Sequence, residues 1–128
     1  MKIHTHPKID RSLCGEPVSL SEGEAVVRLT TSSAMLADDR GLVHGGFVFG
    51  LADYAAMLAV NDPFVVLGSA EVRFLAPVEL GEIVEASARV TERKGTKHGV
   101  TVRAKAGERE GFAGTMTAFV LDQHVLDR

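Results

Sequence analysis

Five stretches of the chain alternate apolar and polar residues with a period of two, and one longer stretch repeats its apolar positions at three- and four-residue spacing. The two-residue period predicts half-buried strands. Gly23–Thr31 is the first, rich in Val, Leu and Thr. Phe64–Val78 sets Val72, Phe74 and Ala76 on one alternating face and closes at Pro77. In Glu82–Arg93, Ile83, Glu85, Ser87, Arg89 and Thr91 share one face, and Val84, Ala86, Ala88 and Val90 the other. His98–Ala106 and Gly111–Asp122 complete the set. The segments RKGTK (93–97) and AGEREG (106–111) are of hairpin length, too short for a crossover helix, so the last three strands are expected to be antiparallel neighbours.

The helical stretch runs from Gly45 to Asn61, with Phe47, Leu51, Tyr54, Ala55 and Leu58 at helical spacing. Asn61-Asp62-Pro63 stops it, because a residue before proline avoids helical angles. A short helix near Pro7–Leu13, ended by Gly15, precedes the first strand. The order (α)β-α-ββββ predicts an α+β fold in which one long apolar helix lies on a five-stranded antiparallel sheet.

At 128 residues the chain is expected to form one domain spanning residues 1–128. Its formal charge of −3 and scattered basic residues argue against nucleic acid or a membrane surface as partner. Cys14 is the sole cysteine, so neither an internal disulfide nor a cysteine metal cluster can form; a buried or half-buried thiol is expected there. The start MKIHTHPKID lacks the apolar run of a signal peptide, and no stretch is long and clean enough for a membrane span. A cytoplasmic setting is expected. His4 and His6 flank Thr5 in a start read as mobile, and no metal site is assigned to them.

Candidate chemistry lies in GLVHGGFVFGLADYAAMLAVN (41–61). His44-Gly45-Gly46 sits where loop becomes helix. The first turn of a helix exposes N–H groups without internal partners, and glycine lets another group approach them. Such a site can polarise a carbonyl oxygen or hold an anion. The glycines can equally serve only a tight helix entry, and His44 can be a loop histidine bonded to backbone. Asp53 follows Gly46 by seven residues, nearly two turns, or about 10.5 Å along the axis. A carboxylate and an oxyanion donor serving one carbonyl must each come within about 3 Å of the reacting atoms. One helix cannot place both. An antiparallel twin helix across a two-fold axis would bring Asp53 of one subunit toward Gly45 of the other. A solvated helical Asp is the alternative, and its apolar neighbours Leu51, Ala52, Tyr54 and Ala55 weigh against it.

The His-Gly-Gly motif with an Asp nine residues after the His resembles the signature of hotdog-fold acyl-CoA thioesterases of the phenylacetate-pathway type. VRFLAPVELGE (72–82) and RKGTKHGVTV (93–102) look like the strand, proline corner and hairpin of the same family, so the resemblance covers residues 20–122. It implies a five-stranded antiparallel sheet wrapped around one long helix, in a homodimer or a dimer of dimers (homotetramer). It implies hydrolysis of an acyl-CoA thioester, with coenzyme A present only as part of the substrate and no separate cofactor. The Gly45 N–H would polarise the carbonyl, and Asp53 of the opposite subunit would act as base or nucleophile. His44 and Gly46 would shape the carbonyl site. Asp38 stands where the family often has an Asn that orients water, and Ser69 is nearest to a family Ser or Thr on the strand after the helix, with Glu71 on the same face. Arg93, Lys94 and Lys97 would meet the CoA phosphates, unless they are an ordinary solvated turn.

Two other functions are compatible with that fold. The first is non-catalytic acyl-CoA binding, as in the ligand-sensing domains of transcription regulators. Those lack the helix acid and carry a DNA-binding segment, for which the roughly 20 residues before the first strand leave no room. The second is hydration of an enoyl-CoA, which the His-Gly-Gly arrangement fits less well. The acyl group is not legible: Phe47, Phe49, Tyr54 and Phe64 can line a pocket or fill the core, and core suits most of them better.

Overall fold

The computed structural model describes residues 1–127. A short helix α1 (Arg11–Cys14) leads into strands β1 (Glu16–Ser21) and β2 (Glu24–Thr30). A single 3-10 turn, Ser33–Met35, precedes the long helix α2 (Gly45–Val60). Strands β3 (Val65–Phe74), β4 (Ile83–Lys94), β5 (Lys97–Ala106) and β6 (Arg109–Val120) follow, then a 3-10 turn, Val125–Asp127. The strands form one sheet in the order β1-β2-β4-β5-β6-β3, with every neighbouring pair antiparallel. This is the hotdog arrangement, with the sheet wrapped around α2.

The sheet has six strands where five were expected. The additional one is β1, EPVSLS, at the edge beside β2. Its register slips between Pro17 and Ser19, and its residues are mostly exposed. Proline has no N–H to donate and is tolerated at a sheet edge. A short, polar, proline-bearing edge strand carries almost no period-two signal.

The helix α2 is also more enclosed than a helix lying on one face. Val48, Leu51, Ala52, Tyr54, Ala55, Ala56, Met57, Leu58 and Ala59 are all buried. A helix that is apolar nearly all round belongs inside. The inward sheet residues are those of the alternating sets, among them Val27 and Leu29 of β2, Val84 and Ala86 of β4, and Val100, Val102 and Ala104 of β5. Small alanines on helix and sheet let the two approach closely. Burying side chains of the size of Leu51 or Leu58 contributes about 1.5–3 kcal/mol each. Asn61 then ends the helix in the left-handed region, φ 53° and ψ 47°, with its N–H on the Met57 carbonyl. Asp62 Oδ1 accepts the Phe64 N–H at 2.8 Å and turns the chain into β3. Among the described residues no helix is long and apolar enough to cross a membrane.

Candidate active site

The loop before α2 is tied down at several points. Asp38 Oδ1 accepts the N–H groups of Arg40 and Leu42, at 2.9 and 3.2 Å. The Val43 N–H donates to the Val78 carbonyl and the His44 N–H to the Met35 carbonyl, both at 2.9 Å. These bonds fix the entry of the chain into the helix. His44 is the N-cap residue, with φ −62° and ψ 130°, and its side chain makes no capping bond. Its carbonyl accepts the Phe47 N–H at 3.1 Å. Among the described residues the Gly45 and Gly46 N–H groups make no hydrogen bond, as the first turn of a helix requires. They carry the positive end of the helix dipole.

Each glycine also has a packing reason. A Cβ on Gly46 would stand 2.9 Å from the His44 imidazole, which folds back over it. The same ring meets Phe47 edge-on, 6.1 Å between centroids at 81°. A Cβ on Gly45 would stand 3.2 Å from the Phe74 ring at the end of β3. Phe74 packs in turn on Phe112, and Phe112 on Phe49, at 5.3 and 6.4 Å. Gly45 opens into an apolar cleft of about 330 Å³ lined by Leu42, Val48, Phe74, Leu75 and Pro77. The cleft wall is braced by Arg109, whose guanidinium bonds both Glu82 carboxylate oxygens (2.6 and 2.7 Å) and the Pro77 carbonyl (3.3 Å). Larger hollows of about 540 and 580 Å³ lie over the outer sheet face at Ser87 and Arg103, away from the helix.

Asp53 lies in the middle of α2, half-buried, between two fully buried residues, Ala52 and Tyr54. Its Oδ1 is buried and has no hydrogen-bond partner, and the Tyr54 hydroxyl is in the same condition. Buried polar oxygens without partners are rare and call for an explanation. Burial pushes the Asp53 carboxyl above the usual carboxylate range, and the nearby His6 partly offsets this. Gly45 and Asp53 are eight residues apart on one continuous helix, about 12 Å along its axis. One chain therefore keeps them apart.

The remaining predicted residues are spread around the molecule. Ser69 and Glu71 are exposed on β3, the edge strand opposite β1, and pair with Thr117 and Thr115 of β6. Arg93, Lys94 and Lys97 are exposed at the β4–β5 hairpin, where Gly95 makes the turn at φ 61°. Among the described residues none of these three cations makes an ion pair. Cys14 is half-buried, as expected, and burial pushes its thiol up. Tyr54 belongs to the core, while Phe64 is 37% exposed. No group of three or more His, Cys, Asp and Glu side chains capable of holding a metal occurs among the described residues.

The thioesterase superfamily matches residues 40–113, which include the whole of α2 and the His-Gly-Gly motif. The chain belongs to the thioesterase superfamily. This superfamily member is 51% identical to part of a protein named methylthioribose-1-phosphate isomerase from Aquifex aeolicus, over 95% of the present chain and 27% of that one. It is 25% identical to the transcription factor FapR of Caldanaerobacter subterraneus, over 89% of this chain and 58% of that one. The chain thus spans about a quarter of the first relative and under three-fifths of the second. It is 32% identical to the acyl-coenzyme A thioesterase PaaI of Escherichia coli, over 78% of this chain and 79% of that one. An uncharacterised protein from Pyrococcus horikoshii has a matching crystal structure, with a TM-score of 0.98 and 49% identity over 99% of this chain and 98% of that one.

Proposed function

We propose that this superfamily member hydrolyses an acyl-CoA thioester at a site shared by two copies of the chain. The observation that carries the reading is the buried, unpartnered Asp53 oxygen on the same helix as an open, glycine-headed N-terminus. The thioester carbonyl oxygen accepts the Gly45 N–H, where negative charge develops as the carbonyl is attacked. Asp53 of the partner subunit takes a proton from water, and the resulting hydroxide bonds to the carbonyl carbon. The C–S bond then breaks, and the CoA thiolate leaves and takes up that proton. As a nucleophile, Asp53 would instead form a mixed anhydride with release of CoA, and water would then cleave it.

The edge strand β3 supports such a pairing. Its Val65 end adjoins the C-terminal end of α2, through Val65 N–H on the Asp62 carbonyl, and its Phe74 end covers Gly45. Two-fold pairing of β3 with its twin sets the Phe74 end of one copy beside the Val65 end of the other. Gly45 is thereby carried toward the second half of the partner's helix. The Arg93, Lys94 and Lys97 hairpin lies at the Val65 end, since the Val120 N–H, opposite Val65, donates to the Thr96 carbonyl. The same pairing moves those cations toward the partner's cleft, where CoA phosphates would be held.

Acyl-CoA binding without hydrolysis is the second reading, favoured by the likeness to FapR. The purified protein incubated with a panel of acyl-CoA thioesters separates the two. Release of free thiol, lost in Asp53→Ala, supports hydrolysis; saturable binding with no thiol release supports the second reading. Equal release from both proteins removes Asp53 from the mechanism.

A further inference from the structure

Phe74 is the last residue of β3 and is 56% exposed, although its strand partner on β6 is the fully buried Phe112. The two rings meet edge-on, 5.3 Å between centroids at 80°. Phe112 anchors the Phe74 ring from within the core, and the ring reaches the head of α2. Its Cε1, Cδ1 and Cζ atoms would stand 3.2, 3.5 and 3.9 Å from a Cβ on Gly45. Leu42 and Leu75, which line the same cleft, are exposed as well. Exposed apolar side chains gathered at a concave site mark a ligand groove or an interface.

The chemistry of the cleft wall selects the occupant. Among the described residues, no side chain lining it carries a polar atom. Its backbone groups are largely spent on the fold. The Leu42 N–H donates to Asp38 Oδ1, the Val43 N–H to the Val78 carbonyl and the Leu75 N–H to the Gly111 carbonyl. The Pro77 carbonyl accepts from Arg109, and proline has no N–H. The pantetheine arm of CoA carries two amides, whose hydrogen bonds would go unmade here, at a cost. A hydrocarbon acyl group has none to lose. At about 330 Å³ the cleft is near the lower end of ligand cavities, about 300–1,000 Å³. It suits a short acyl group, and the wall that stands nearest the Gly45 N–H is the Phe74 ring.

We infer that Phe74 sets the acyl specificity: an uncharged hydrocarbon acyl group lies in the cleft with its carbonyl on the Gly45 N–H, and the Phe74 ring limits its length. The inference rests on the acyl-CoA reading above, and its test separates the two. Thiol release gives kcat/KM for acetyl-, butanoyl-, hexanoyl-, octanoyl- and decanoyl-CoA, in the natural protein and in Phe74→Ala. In the natural protein kcat/KM is expected to climb by about fourfold per methylene, the factor that about 0.8 kcal/mol per buried CH₂ gives, and then to fall. Phe74→Ala is expected to move the maximum to longer chains. The next longer thioester then gains about fifteenfold relative to the natural maximum, for two further methylenes. Leu75→Trp narrows the cleft from an exposed position and is expected to move the maximum the other way, which carries the test if Phe74→Ala does not fold by circular dichroism. An equal loss at every chain length, the result if Phe74 only meets pantetheine or a second copy, overturns the inference and leaves hydrolysis standing. Adipoyl-CoA, with its terminal carboxylate, turned over as fast as hexanoyl-CoA overturns it too. Where no thioester releases thiol, the hydrolytic reading falls, and calorimetry with non-hydrolysable S-alkyl-CoA thioethers decides the cleft. A chain-length dependence of Kd that Phe74→Ala shifts to longer chains upholds the inference, and an unmoved one overturns it.

Discussion

Asp53 is costly where it sits. Its carboxyl is desolvated, one oxygen lacks a partner, and its proton affinity in the folded chain is raised. For an acid with a raised folded-state pKa, the folded state binds the proton more tightly than the unfolded one. The stability contribution is then full below the unfolded carboxyl pKa, about 3.9, and is lost as pH rises through the folded value. Asp53→Asn is thus expected to melt higher than the natural protein at pH 7, by about 4 °C for roughly 1 kcal/mol in a chain of this size. The gap should close as the pH falls toward 4, and thermal melts of both proteins across that range measure it. The same substitution is expected to reduce thiol release by about a hundredfold or more. Asp53 was legible in the sequence because an isolated carboxylate interrupts an apolar helix at a definite distance from a glycine pair. His6 was not. Its seating against α2 depends on a left-handed turn and on packing with Tyr54, far along the chain, and neither leaves a local pattern.

At the scale of elements, α2 joins packing to the proposed chemistry: the N–H groups of its first turn are without partners while its body is buried. Gly45 is the first helical residue, a position where proline is tolerated and where the N–H has no partner within the helix. His44 already has the extended angles that suit a residue before proline. Gly45→Pro is therefore expected to keep the helix, by far-UV circular dichroism, while removing the proposed donor and lowering kcat by about 10²–10³. Gly45→Ala keeps the N–H and only presses on Phe74, so a much smaller loss is expected in the same thiol-release assay. If alanine and proline are equally harmful, crowding of Phe74 and not the N–H is the cause. The long strands and α2 were readable because alternation and helical spacing survive over eight or more residues. Strand β1 was not, since Pro17 and a register slip interrupt a six-residue edge. The enclosure of α2 followed from its composition, apolar on nearly every side.

The whole molecule sets the largest constraint: one continuous helix holds Gly45 and Asp53 too far apart to meet at one carbonyl. The spacing is legible in the sequence, and the sheet wrapped around α2 keeps both residues on that one helix. What the spacing does not supply is the surface proposed for two chains to meet, which rests on the strand order and on β3 lying at an edge. The central claim is that each site draws Gly45 from one subunit and Asp53 from the other. Complementation tests it most directly. Gly45→Pro and Asp53→Asn subunits, each inactive alone, are co-expressed, and acyl-CoA hydrolysis by the mixed population is measured. With random pairing, half the dimers are mixed, and each mixed dimer has one intact and one doubly defective site. About a quarter of the natural activity is then expected to return. A mixed population as inactive as its two parents contradicts the shared site.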